Sequence, residues 1–181
     1  MDWRPLLEAR PVVVALAGSN GAGKSTFFHA HLANTELRFV NADDLAVELG
    51  LGAYEAAEVA ASLRAVLVGQ RESFVFETVL SDPVGAKVTE LVETGRNGMH
   101  VVMVFIRVDS TETSKQRVAM RVMQGGHDVP DEKLEARFQR TLANLERAIK
   151  ALPVVIIFDN TKLARPFQLE AVYEQGRRIG P

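Results

Sequence analysis

Apolar residues gather in short, nearly continuous runs separated by longer amphipathic stretches. "VVVALAG" (12–18), "FVFET" (74–78), "VVMVFIRV" (101–108) and "VVIIFDN" (154–160) are rich in β-branched and aromatic side chains. Runs without polar alternation predict strands buried on both faces of a parallel sheet. A weaker fifth strand is expected at "LRFVN" (37–41). Between the runs the spacing turns helical. Val59, Leu63, Val66 and Leu67 mark a helix over Ala56–Val68, and Leu134, Phe138, Leu142, Leu145 and Ile149 mark another after Pro130. Gly95, Gly98 and Pro153 fall where turns are needed before strands. This alternation predicts an α/β fold: a five-stranded parallel sheet flanked by helices, with right-handed crossovers. Leu152, Ile156 and Phe158 read as core, and Trp3 as packing the N-terminal segment against the sheet.

At 181 residues the chain fits a single domain, 1–181, with a core of its own. Its composition, 47% hydrophobic and 24% charged, is that of a globular protein. A formal net charge of -2 and a pI near 6.1 argue against nucleic acid as the main partner. The absence of cysteine excludes disulfides, thiolate catalysis and a Cys-based zinc site. The N-terminal "MDWRPLLEARP" does not read as a signal peptide, and no apolar run approaches a membrane span. A cytoplasmic protein with no membrane partner is expected.

The sharpest chemical signal is "GSNGAGKST", from Gly18 through Ser19, Asn20, Gly21, Ala22, Gly23, Lys24 and Ser25 to Thr26. It fits G-x-x-x-x-G-K-[ST] between a strand and a helix, the Walker A or P-loop context. Glycines let backbone N–H groups turn inward on phosphate oxygens, and the helix start adds partial positive charge. Lys24 is then placed for the β- and γ-phosphates of ATP, Ser25 for Mg²⁺ and Thr26 for the α-phosphate side. No guanine-reading N-K-x-D follows a later strand, so a switch GTPase is disfavoured. The size suits a small kinase, in which an acceptor occupies a cleft beside the nucleotide.

Three further stretches bear on that acceptor. Asp43 and Asp44 follow the second strand, on the sheet edge where ligands bind in open parallel sheets. A carboxylate there can take the proton of an attacking hydroxyl, or it can cap the helix over "LAVEL"; Asp44 suits the second role better. Glu77 ends a very apolar strand. It is placed to bind acceptor hydroxyls, to hold water on Mg²⁺, or simply to end the strand, with Thr78 and Ser81 continuing the same edge. Arg117, Arg121, Lys133, Arg137 and Arg140 lie on two helical segments flanking "QGGHDVP". Gly125 and Gly126 permit a sharp reversal, and His127 reads as a hydrogen-bonding loop residue. The helices then form an Arg-rich lid (about residues 115–141) closing on the phosphates, or solvated faces paired with Glu112, Asp131 and Glu135. "FDNTKLARPF" lies on the edge where adenine would sit, with Arg165 as a stacking candidate, although Asp159 and Asn160 also suit a plain turn.

Taken in order, "GSNGAGKST", "FVNADDLA", "FVFETVLS", "QRVAMRVMQGGHDVP" with "ARFQRTLANL", and "FDN" resemble the zeta-toxin-like P-loop kinases, over about Val12 to Asn160. The resemblance implies ATP-dependent phosphoryl transfer with Mg²⁺. It implies Asp43 as catalytic base, Lys24 on the ATP phosphates and Glu77 on the acceptor, to which Thr78, from its place on the same edge, would add a hydrogen bond. Arg121, Arg137 and Arg140 become candidates for the lid arginines. It also implies a small-molecule acceptor, UDP-N-acetylglucosamine in the large toxins, and an antitoxin protein as partner. This chain is shorter than those toxins between its third and fourth strands, and its "GGHDVP" belongs to compact members. A kinase of another metabolite or nucleoside, and an ATP-dependent regulatory module, are the alternative readings.

Overall fold

A computed structural model describes residues 1–123 and 130–181. The expectations placed on Gly125, Gly126 and His127, and on pairing by Asp131, lie outside the described residues and side chains. The strands are β1 (Val12–Ala17), β2 (Arg38–Val40), β3 (Phe74–Thr78), β4 (His100–Arg107), β5 (Val154–Asp159), β6 (Gln168–Glu174) and β7 (Arg177–Gly180). The helices are α1 (Lys24–Phe27), α2 (Ala42–Leu49), α3 (Ala53–Gly69), α4 (Ala86–Arg96), α5 (Thr111–Met123) and α6 (Asp131–Ala151). A wider helical turn, Phe28–Leu32, continues α1.

The strands form one sheet in the order β2-β3-β1-β4-β5-β6-β7. The first five pair in parallel, as their apolar runs predict. Parity along β1 explains the continuous runs. Val12, Val14 and Leu16 pack with Phe27, Phe28 and Leu32 on one face, while Val13, Ala15 and Ala17 join Leu67, Leu91 and Leu145 on the other. Trp3 sits on the first face, its ring 5.2 Å from Phe158 and 5.9 Å from Phe27.

The sheet has seven strands rather than five. β6 runs antiparallel to β5 and β7 antiparallel to β6, so the sheet is mixed. The pattern of β6 is blurred by a register shift opposite Ile157 and Phe158. Leu169 and Val172 pack on the α1 face and Ala171 and Tyr173 on the other, so no simple alternation survives in the sequence. Gln175 and Gly176, both at positive φ, make the tight turn into β7.

Helix α3 also buries a different stripe from the one expected. Ala56, Ala60 and Leu67 are buried, whereas Val59 and Val66 are exposed. Small residues bring the helix close, and the larger valines face water. In α6 the expected face holds, with Leu134, Phe138 and Leu145 buried. Thr141 donates to the Val79 carbonyl (2.8 Å), and the buried Asn144 donates to the carbonyls of Leu80 and Asp82 (2.8 Å each). α6 is therefore a core helix that fastens the loop after β3.

Candidate active site

The P-loop is held from three sides. Gly18, at the end of β1, passes so close to the Ile106 carbonyl of β4 that any Cβ would collide with it. Gly23 has φ 95°, and a Cβ there would lie 2.7 Å from Asn160 Nδ2. That amide, at the end of β5 and buried, donates to the Ala22 carbonyl at 2.7 Å. From α5, the Ser114 hydroxyl donates to the Asn20 carbonyl at 2.6 Å. The loop's shape thus depends on β4, β5 and α5 together.

The Lys24 ammonium is buried and turned back on the loop, donating to the carbonyls of Gly18 (3.0 Å) and Ser19 (3.1 Å). Burial holds its pKa below the ordinary lysine value; the Glu77 carboxylate opposes that shift and the Arg121 guanidinium adds to it. Glu77 lies 3.6 Å from Lys24 Nζ and accepts from the Ser25 hydroxyl at 2.7 Å. The buried Asn41 amide reaches the same carboxylate at 3.5 Å. Strand parity accounts for this meeting. Glu77 shares the face of Val75, toward α1, and pairs in register with Leu16, two residues before the P-loop begins.

Thr78 takes the opposite parity. Its hydroxyl accepts from the Leu80 N–H at 3.1 Å in a local turn, and it borders a groove with Lys87 and Glu90, away from the Ser25–Glu77 pair. Asp43 and Asp44 lie in the first turn of α2, but neither is the cap. Asn41 holds that position, its side-chain oxygen accepting from the Asp43 N–H at 2.8 Å. Asp43 is left exposed and lines an open cavity of about 350 Å³ with Ala46, Val47, Leu51 and Arg121. Arg121 and Asp43 line this cavity together and act in opposite directions on the buried Lys24 ammonium, Arg121 lowering its pKa and Asp43 raising it.

Arg137 and Arg140 are half-buried on the N-terminal half of α6, where the neighbouring Phe138 and Thr141 approach Ser19 and the end of β4. The Arg140 Nε is buried without a hydrogen-bond partner among the described residues. Across the two helices Lys115 lies 3.9 Å from Glu135, while Glu112 accepts from Gln116. Arg117 has another role: its guanidinium donates to the carbonyls of Asn160 (2.6 Å) and Thr161 (3.0 Å), tying α5 to the end of β5. Arg165 is exposed, and it is Phe167 that approaches Gly23. Asp159 forms the strand-end turn, accepting from Thr161. Ser114 was not legible as a site neighbour, because it reaches the loop by tertiary contact from an ordinary-looking helix. Arg117, expected in the lid, instead braces the end of β5, and within "FDNTKLARPF" Phe167 rather than Arg165 approaches the loop.

Hydroxyl and carboxylate oxygens are the donors Mg²⁺ prefers, and Ser25 and Glu77 present them side by side. Among the described residues, no group of three or more His, Asp or Glu side chains forms a metal site of its own. No described helix is long and apolar enough to cross a membrane.

A P-loop at the carboxyl end of β1 of a mixed α/β sheet resembles the arrangement in P-loop kinases. Solved structures agree. The AvrRxo1-ORF1:ORF2 complex with ATP superposes with a TM-score of 0.71 at 18% identity, over 95% of this chain. This chain spans 61% of that protein's length. A putative kinase from Chloroflexus aurantiacus (TM-score 0.60, 18% identity) is covered over 90% of its length and 87% of this chain. The PezAT toxin-antitoxin system of Streptococcus pneumoniae also matches, with a TM-score of 0.60 at 18% identity over 83% of this chain and 69% of that one. At such identities the likeness is one of fold. Sequence gives the family: the Zeta toxin family model matches residues 50–170, and the chain belongs to that family. The matched span begins beyond the P-loop, so motif and family match are separate observations. An uncharacterized protein of Haemophilus influenzae is 24% identical over 127 residues, 67% of this chain and 88% of that protein.

Proposed function

We propose that the protein is an ATP-dependent kinase that moves the γ-phosphoryl group to a hydroxyl of a small molecule. The observation that carries the reading is convergence: Lys24, Ser25 and Glu77 form one contact cluster, and Asp43 and Arg121 line one cavity beside it. The acceptor enters that cavity with its hydroxyl toward Asp43. As the acceptor oxygen attacks the γ-phosphorus, its proton passes to the Asp43 carboxylate and the bond to the β-phosphate oxygen breaks, leaving ADP. Lys24 leaves the Gly18 and Ser19 carbonyls for the phosphates, and Arg121, Arg137 and Arg140 offset charge on the transferring group. Ser25, with Glu77 behind it, would hold Mg²⁺, which neutralises charge on the β- and γ-oxygens. Glu77 on this reading serves the metal side more than the acceptor.

UDP-N-acetylglucosamine is the acceptor to try first, because the family resemblance points there. An antitoxin is the partner to seek, since one structural relative is a toxin-antitoxin system and another is a complex of two open reading frames' products. The deciding experiment incubates the protein with Mg-ATP and either that sugar nucleotide or a cell metabolite extract. Mass spectrometry then looks for a species gaining one phosphate, with Asp43→Ala as control. Product from the wild type alone supports the mechanism and names the acceptor. ATP binding with no product from any pool overturns the kinase reading.

A further inference from the structure

A second open cavity, of about 390 Å³, lies between α3 and α4 on the sheet face away from α1. Its floor is apolar, made by Val13, Phe74 and Phe76, with Leu91 at one side. The wall contributed by α3 is small because Ala61 and Ala65 stand where larger residues would fill the space. Neither the P-loop nor Asp43 reaches it. The proposed kinase chemistry uses none of its lining.

Arg64 gives this cavity its chemistry. The guanidinium lies 4.9 Å over the Phe76 ring, and its side chain is only 15% exposed. Its Nε is buried and hydrogen-bonds nothing among the described residues. The nearest carboxylate, Glu90, stands 3.9 Å away, an ion-pair distance but too long for a hydrogen bond. Glu90 is already engaged at close range by the Lys87 ammonium. One carboxylate therefore faces two cations, and the lining keeps an excess positive charge with a donor unused. A buried guanidinium lacking a full partner is costly, and a carboxylate received on its fork relieves that cost.

We propose that the α3–α4 cavity is a binding site for a compact carboxylate with an aromatic or aliphatic body. The carboxylate lies on Arg64 and the body rests over Phe74 and Phe76. The cavity shares Lys87 and Glu90 with the groove that starts at Thr78, so an occupant sits beside the strand that carries Glu77 without touching the nucleotide loop.

The test uses benzoate as probe and benzamide as its uncharged counterpart, titrated into the full chain and followed by NMR of the alanine methyl groups. Saturable shifts at Ala61 and Ala65 with benzoate, and binding of benzamide weaker by about tenfold or more, are expected. Arg64→Met keeps the stem over Phe76 and should weaken benzoate by a similar factor, about tenfold. Ala61→Phe, which fills the space and keeps the cation, should abolish the shifts. Absence of saturable shifts overturns the proposal, as does equal affinity for benzoate and benzamide. The second comparison needs only the wild type, so it decides the matter even if Arg64→Met does not fold.

Discussion

The Ser25 hydroxyl and the Glu77 carboxylate meet at 2.7 Å, although 52 positions separate them in the chain. Parallel pairing of β1 with β3 brings this about by setting Glu77 beside Leu16, just short of the P-loop. Glu77→Gln keeps the shape and removes the charge that faces both Ser25 and Lys24. It should lower kcat by about 10²-fold or more if Glu77 supports the metal side of the site. A titration with Mg²⁺ at saturating ATP checks this, and a variant with the wild-type kcat and Mg²⁺ requirement would remove Glu77 from the chemistry.

Asp43 is exposed and, because Asn41 takes the cap, makes no capping hydrogen bond; its helix-end contribution is limited to the weak attraction of a first-turn carboxylate to the helix dipole. Asp43→Asn should therefore cost little stability. As a general base it should cost roughly 10²- to 10⁴-fold in kcat while ATP affinity stays unchanged. Calorimetric ATP binding alongside turnover separates the two effects. A large loss of ATP affinity with normal turnover would make Asp43 a nucleotide contact instead.

What could be read from the chain was the part governed by local pattern. The runs at β1, β3, β4 and β5 announce buried parallel strands because residues on both of their faces are apolar. The P-loop is readable because its chemistry lies within nine consecutive residues. Other features depend on distant partners. β6 was hidden because its register shift breaks the two-residue period, and the exposed β7 has little apolar signal. Val59 and Val66 looked like core because helical spacing does not reveal that a neighbour fits alanine more closely. Asn41 and Asn160 are short polar residues at strand ends, where a cap or clamp cannot be told from a turn until the other side is known.

Asn160 illustrates the cost of such a clamp. Its amide donates to Ala22 within the P-loop, and its carbonyl accepts from Arg117. Asn160→Ala leaves the Ala22 carbonyl without that donor, which should destabilise the fold by about 1–3 kcal/mol. It should also weaken ATP, since the loop loses its brace at Gly23. Asn160→Asp puts an acceptor against that carbonyl and should be worse on both counts. Chemical denaturation and ATP titration of the two variants check the order, and equal ATP affinity in all three proteins would confine Asn160 to stability.

His31 offers a pH test of the packing beneath the P-loop. Its ring lies 4.6 Å from Phe27 and 5.5 Å from Phe167. Burial, with Arg4 adding to it, holds its pKa below the ordinary histidine value of 6.5. The unfolded chain therefore takes up this proton at a higher pH than the folded one. Stability from this group is complete above the unfolded value and is lost as pH falls through the lowered folded one, below which no further loss follows. Urea midpoints between about pH 7.5 and about pH 5 should fall more steeply for the wild type than for His31→Gln, which cannot titrate. The difference between the two proteins cancels the carboxylates common to both. Parallel curves would mean that the imidazole is protonated as readily in the fold as out of it, and that the aromatic nest around His31 admits water.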